Sequence, residues 1–248
     1  MKISLIIPCY NEESNLQKGV LDKIGRYAQN DSRFIEVLVV DDGSTDRSKN
    51  IVKKFYLPGY SKFKLIENPH RGKAFAVITG IKEAKGKYII FSDIDLATPI
   101  EEAEKLIEQL GEGSKIVIGS RSSQRKGAPF LRKLMAVGLI MVRGLFIGLG
   151  NIKDTQCGFK AFERKTALKI IDKLQVFNPE RKTKGSSVSA GFDLEFLFLA
   201  KRLGLTIKEV PVTWRHVETK NVNFIKDSLE TLKDLLKIKT NHLMGKYK

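Results

Sequence analysis

Cysteine is nearly missing from this chain: Cys9 and Cys157 are the two in 248 residues, far apart and without metal-ligand spacing. That argues against a disulfide framework and a cysteine-held metal, and points to reduced thiols in a cytosolic protein. Acidic residues are in deficit, 28 against 44 Lys and Arg, which leaves a formal charge of +16. A Lys-rich solvated surface explains part of that excess. The remainder calls for an anionic partner, whether nucleic acid, an acidic membrane surface or a phosphorylated substrate. A spanning segment is also missing: the best candidate, 134–150, is shorter than the roughly 20 residues required and contains Arg143. No G-x-G-x-x-G follows the first strand pattern and no G-x-x-x-x-G-K-[ST] occurs, against a dinucleotide-binding Rossmann domain and a P-loop NTPase. Zinc-finger and RNA-recognition signatures are missing too, and aromatics do not interleave with the basic clusters, so no nucleic acid is expected. The chain enters a strand pattern directly, without the layout of a signal peptide, which sets a cytoplasmic expectation.

What is present alternates. Apolar runs at 3–7, 34–40, 64–66, 88–91 and 115–119 read as strands, separated by helical patterns. One helix is expected from a cap at Asn11 or Ser14 to about Tyr27, with Leu16, Val20 and Ile24 inward. Another starts at Ser44 or Thr45 and runs through Phe55; further helices end at Ala84 and span about 100–110. This order gives an α/β fold with a mostly parallel central sheet flanked by helices. Such sheets bind ligands outside the carboxyl ends of their strands. The segments 8–12, 41–42, 68–73 and 93–95 would all gather on that edge.

The stretch from Tyr88 to Pro99, YIIFSDIDLATP, carries the clearest chemistry. An apolar run ends in Asp93 and Asp95, whose side chains point the same way if the chain is still extended. Two carboxylates facing one point repel unless a cation lies between them. Mg²⁺ or Mn²⁺ carrying a substrate phosphate is the natural occupant; solvated turn aspartates are the competing reading.

The segments IPCYNEE, VVDDGSTD, GKAFAVITG, FSDIDLATP, IGSR and DTQCGFKAF together resemble family 2 glycosyltransferases of the GT-A (Rossmann-like) fold, over 1 to about 217. The likeness is to the branch acting on dolichyl and other polyprenyl phosphates, dolichyl-phosphate glucosyltransferases and mannose synthases included. The resemblance implies that Pro8, Tyr10, Glu12 and Asp41 hold the base and ribose of a nucleotide sugar. It places Lys73 near the base or diphosphate, and Asp93 and Asp95 at the metal and diphosphate. Asp46 reads instead as a helix-start carboxylate. Ala97 stands where mannose synthases often carry Gln, so water would replace a side-chain ligand. Gln156 is the implied sugar contact, with Cys157 packing beside it. Arg121 and Arg132 are the implied acceptor-phosphate ligands, because a planar guanidinium matches a phosphate with paired hydrogen bonds. Arg125 and Lys126 read as general attraction or surface charge.

Several segments carry looser readings. The helix at 134–150 is either buried or a surface element in which Arg132, Lys133 and Arg143 meet lipid phosphates while Leu134, Met135, Leu139, Met141, Leu145 and Phe146 enter the acyl boundary. Residues 178–190 read as a loop or lid, and Asp193 or Glu195 as a substrate contact, an arginine partner or a helix-start carboxylate. Strands are expected at 207–212 and 213–216, with His216 at the surface. Residues 1–217 form the catalytic domain, and 218–248 a basic amphipathic helix packed on it or resting on a membrane. The expected activity is inverting, metal-dependent transfer of a hexose to a polyprenyl or dolichyl phosphate, at the cytoplasmic face of an anionic membrane. UDP-glucose is the favoured donor; GDP-mannose and a soluble glycan or protein acceptor are alternatives. A nucleotidyltransferase would use similar carboxylates but lacks its phosphate-cradling glycine loop here. Outside enzymes, a basic nucleic-acid-binding protein is the competing class.

Overall fold

The computed structural model describes residues 1–121, 130–181, 190–215 and 224–247. Seven strands, β1 (Ile3–Cys9), β2 (Phe34–Asp41), β3 (Phe63–Glu67), β4 (Tyr88–Ser92), β5 (Ile116–Ser120), β6 (Phe159–Glu163) and β7 (Ile207–Pro211), form one sheet in the order β3-β2-β1-β4-β6-β5-β7. All neighbours are parallel except β6, which runs against both β4 and β5. Every residue of β1 is buried. Leu5 and Ile7 enter one core and Ile6 the other, as the two-residue period of a strand covered on both faces demands.

The helices follow in chain order: α1 (Glu13–Gln17), α2 (Val20–Asn30), α3 (Ser48–Ile51), α4 (Leu57–Gly59), α5 (Lys73–Glu83), α6 (Ala103–Gly111), α7 (Phe130–Ile147), α8 (Arg164–Ile171), α9 (Ala190–Arg202) and α10 (Phe224–Leu243). A π-helical turn at Val52–Tyr56 joins α3 to α4, and a 3₁₀ turn at Ile100–Glu102 leads into α6. One face of the sheet packs residues of α5, α8, α9 and α10, including Ile81, Ile170, Leu197 and Leu235. The other packs α2 and α6 through Leu21, Ile24, Leu106 and Leu110.

Four local expectations are corrected. The single helix from Ser14 to Tyr27 is two, because Gly19 adopts φ 72, a left-handed conformation that an ordinary residue resists. The next helix begins at Ser48 rather than at Ser44 or Thr45, whose polar groups are spent on the neighbouring loop. Ser44 Oγ accepts from the Asn11 N–H at 3.0 Å, and the Thr45 N–H donates to Asn11 Oδ1 at 2.8 Å. Neither Asn11 nor Ser14 therefore caps α1. Residues 213–215 form no strand; after Pro211 the chain leaves the ladder, and the Arg215 N–H donates to Ala97 O at 2.8 Å. Lastly, Arg143 does not face outward from α7. It is 3% exposed and donates to Thr155 Oγ1 at 2.8 Å and to the carbonyls of Ile152 and Lys153.

Met141 and Leu145 do lie outward, at 69% and 82% exposure. α10 packs on α7 and α9 through Leu235 and Ile238, while Leu229, Leu232, Leu236 and Leu243 are exposed on its other side, beside the exposed Lys233 and Lys237. No helix among the described residues is long and apolar enough to cross a membrane. His216, Arg125, Lys126 and residues 182–189 of the expected lid lie outside the described residues, as do the side chains of Arg132, Lys133, Leu134, Met135 and Leu139.

Candidate active site

The strand order reverses at β1: β2 and β3 lie to one side, β4 to the other. Loops leaving β1 and β4 therefore diverge and open a crevice at their carboxyl ends. β1 delivers Pro8, Tyr10 and Glu12 to that edge, β2 delivers Asp41 and Asp42, and β4 delivers Asp93 and Asp95. The reversed β6 brings the segment before its first residue, Asp154 to Gly158, to the same place.

Asp42 is a loop organiser. Its carboxylate accepts from the N–H groups of Arg71 (3.0 Å) and Gly72 (2.7 Å) and contacts His70 Nδ1 at 2.8 Å. Tyr10 stacks on the His70 ring with centroids 4.1 Å apart. Asp46 acts as the expected helix-start carboxylate, accepting from Ser48 N at 2.9 Å and Glu13 N at 3.1 Å. Asp41 differs from both. Its Oδ2 accepts from the N–H groups of Gly43 and Ser44 at 3.2 and 3.1 Å, but Oδ1 is buried and has no hydrogen-bond partner among the described residues. A buried acceptor left empty costs about 1–3 kcal/mol, so a donor from outside the chain is the natural complement.

The acidic centre is built from Glu12, Asp93 and Asp95. Asp93 is contacted by the Lys73 ammonium and packs against Gly158, where a Cβ would stand 2.0 Å from Asp93 Oδ2. Any side chain at 158 would displace that carboxylate. Asp95 accepts from the Ala97 N–H at 3.0 Å. Burial, and then the neighbouring Asp93, push the Asp95 carboxyl above its ordinary value. Glu12 is raised mainly by burial, with Asp95 and Asp93 adding to it, although Asn15 donates to it at 2.6 Å. Among the described residues no three ligand side chains converge on one metal position. Two half-buried carboxylates with one ammonium between them still fit a hard divalent cation whose remaining ligands are phosphate and water.

Arg121 sits across a small crevice lined by Ser92, Asp93, Ala97, Thr98, Arg121, Cys157, Gly158 and Trp214. Its Nε and Nη2 pair with Asp154 at 2.7 and 2.9 Å, and the backbone N–H donates to the same carboxylate at 3.0 Å. Burial opposes the charge on Arg121, but Asp154 more than compensates and its pKa is raised. The guanidinium carbon lies 5.9 Å from the centre of the Trp214 ring. Gln156 is half-buried in the turn above β6, its N–H donating to Asp154 Oδ1 at 3.3 Å. Cys157 packs as expected, 1% exposed, and burial pushes its thiol up to about 11.

Two positions next to the site were not singled out from the sequence. Lys160 on β6 is fully buried, pairs with Asp193 at 2.9 Å and donates to Cys157 O. Trp214 gave no sequence signal beyond being the lone tryptophan. The two candidates on α9 separate cleanly. Asp193 belongs to this centre, whereas Glu195 is structural: it accepts from the N–H groups of Gln175, Val176 and Phe177 and from Tyr247 Oη.

Residues 4–171 match the family model described as glycosyl transferase family 2. The chain is 31% identical over 266 residues to the dolichyl-phosphate beta-glucosyltransferase of Saccharomyces cerevisiae, covering 99% of this chain and 76% of that protein. Identity to the Homo sapiens enzyme of the same name is also 31%, over 100% of this chain and 78% of the relative. Among solved structures, glucosyl-3-phosphoglycerate synthase from Mycobacterium tuberculosis, in complex with Mn²⁺ and UDP-glucose, superposes with a TM-score of 0.70 at 22% identity, over 96% of this chain and 79% of that one. Mannosyl-3-phosphoglycerate synthase from Rubrobacter xylanophilus gives 0.68 at 15% identity, over 99% and 75%.

Proposed function

The chain belongs to glycosyl transferase family 2 and has the GT-A fold, and from that premise we propose that it transfers glucose, with inversion, from UDP-glucose to dolichyl or another polyprenyl phosphate. The observation that carries this reading is one crevice lined by both the Asp93 carboxylate and Arg121, with Asp95 close enough to Asp93 to feel its charge. Relatives matched over 99% and 100% of this chain are named dolichyl-phosphate beta-glucosyltransferase, and a neighbour of the same fold was crystallised with Mn²⁺ and UDP-glucose.

In this reading Asp41 Oδ1 accepts a hydrogen bond from the nucleoside, filling its empty position, with Pro8, Tyr10 and Glu12 framing the base and ribose. A divalent cation, Mg²⁺ or Mn²⁺, held by Asp93 and Asp95 would offset the charge on a departing diphosphate. Lys73 brings a further positive charge to the same oxygens. Gln156 meets the sugar. Asp154 holds the Arg121 guanidinium in one orientation, so its remaining N–H groups meet the acceptor phosphate as a preset fork. Arg132 is assigned to the same phosphate. That phosphate is already ionised at neutral pH, so placement does the work and no strong general base is needed. The exposed leucines of α10 and the outward Met141 and Leu145 of α7 rest on the membrane that carries the lipid, at its cytoplasmic face, with Lys233 and Lys237 against anionic headgroups.

Purified protein incubated with labelled UDP-glucose, a divalent cation and dolichyl phosphate is expected to yield label in the lipid extract. Label from GDP-mannose instead would reassign the donor, and label only on a soluble acceptor would remove the lipid. Asp95→Ala is expected to lower turnover by at least about a hundredfold while circular dichroism stays unchanged; near-normal turnover would end the metal assignment.

A further inference from the structure

Lys73 is the first residue of α5, where the helix dipole disfavours a cation. It is nevertheless placed there with its ammonium turned onto Asp93 Oδ1, 6.0 Å from the centre of the Phe91 ring. Burial works against that charge, but Asp93 outweighs it, with Asp193 and Asp95 adding smaller attractions. Among the described residues Asp93 is the one carboxylate that Lys73 pairs with; Glu12 and Asp95 feel it as weaker attractions, and Asp193 is already engaged by Lys160 at 2.9 Å. Asp95, on the other side of Asp93, makes no ion pair among the described residues, only the hydrogen bond from Ala97. One carboxylate of the pair is thus capped by the protein's own cation, and the other is bare.

We propose that Lys73 is a stand-in cation: in the free protein it occupies the carboxylate of Asp93 that a divalent metal needs, and it yields that carboxylate only when a diphosphate offers the ammonium a replacement anion. The proposal rests on Asp93 and Asp95 being the metal-holding pair. A metal arriving alone must break the Lys73–Asp93 pair and leave a half-buried ammonium without its carboxylate, which is unfavourable. A metal arriving with a diphosphate supplies the new partner in the same event. Metal and nucleotide then strengthen each other's binding, and by linkage to the same degree. Lys73 would therefore keep the site from filling with free metal and tie metal capture to donor capture.

The test is calorimetric binding of MnCl₂ alone, and of UDP with and without Mn²⁺, to the wild type, Lys73→Met, Lys73→Ala and Lys73→Arg. The two neutral variants are expected to bind free Mn²⁺ at least about tenfold more tightly than the wild type, the effect of one nearby charge even when screened almost as in water. The factor by which Mn²⁺ improves UDP binding, large in the wild type, should shrink by a similar amount. Lys73→Arg keeps the charge and should track the wild type in Mn²⁺ affinity. Measuring both neutral variants protects the result against one failing to fold. If the wild type binds UDP more tightly with Mn²⁺ but the neutral variants bind free Mn²⁺ no better than it does, the stand-in role is wrong and Lys73 is simply a diphosphate ligand. If Mn²⁺ leaves UDP binding by the wild type unchanged, the metal-holding pair itself is wrong and takes this proposal with it.

Discussion

At the scale of single residues, buried polar groups divide by whether the chain itself completes them. Glu36, 1% exposed on β2, is completed: Ser4 Oγ, the Lys85 N–H and Lys64 Nζ all donate to it at 2.6 Å. Burial alone would raise its carboxyl, but Lys64, Ser4 and Lys85 together hold it below the ordinary value of 4.5. A depressed carboxyl stabilises the folded state above its unfolded value and loses that contribution as pH falls through the folded one. Glu36→Gln should therefore cost about 1–3 kcal/mol at neutral pH, with a flatter loss of stability on acidification. Urea unfolding across that range measures both effects; an unchanged midpoint at neutral pH would show the network to be neutral. Asp41 Oδ1 and Asp95 are the opposite case, groups that the fold leaves short of a partner at the ligand edge.

At the scale of elements, α10 presents two faces of different kinds. Leu235 and Ile238 are fully buried, while Leu229, Leu232 and Leu236 are 54%, 40% and 46% exposed. Because these leucines are only about half covered by the described chain, Leu232→Ser with Leu236→Ser should change stability by no more than about 1 kcal/mol. The same pair should weaken co-sedimentation with phosphatidylserine vesicles several-fold, and unchanged sedimentation would remove this face from membrane binding. The stripe of leucines and lysines was legible in the sequence, because helical periodicity is a local property. The inward turn of Arg143 was not, since its partners at 152, 153 and 155 meet it only once the chain folds back. Strand β6 escaped for a related reason. Phe-Lys-Ala-Phe-Glu puts a lysine where a core residue belongs, and the distant Asp193 together with the Cys157 carbonyl makes that burial tolerable.

For the whole molecule, the formal charge of +16 sets the range over which association is felt. Vesicle binding should fall steeply between low and physiological salt, where the screening length is about 8 Å, leaving a residual apolar component. A salt-independent isotherm would assign binding to the leucines alone. The parallel strands and the acidic loops after them were readable because unbroken apolar runs ending in carboxylates survive in one dimension. The split of the first helix at Gly19 and the pairing of Arg121 with Asp154 depend on tertiary neighbours.

The direction of β6 has one more consequence. Because it runs against β5, the chain leaves the sheet after Ser120 and re-enters it at Phe159 on the same rim. Everything between, α7 included, is a detour whose two ends are anchored beside the crevice. Apart from 154–158, which Arg121, Arg143 and Asp93 hold in place, such a detour can change in length and sequence while every strand keeps its register. On the proposed reading most donor-holding groups lie on the sheet edge, while Arg121 and Arg132, assigned to the acceptor, lie in the detour, so a change of acceptor asks for changes there before it asks for changes in the sheet.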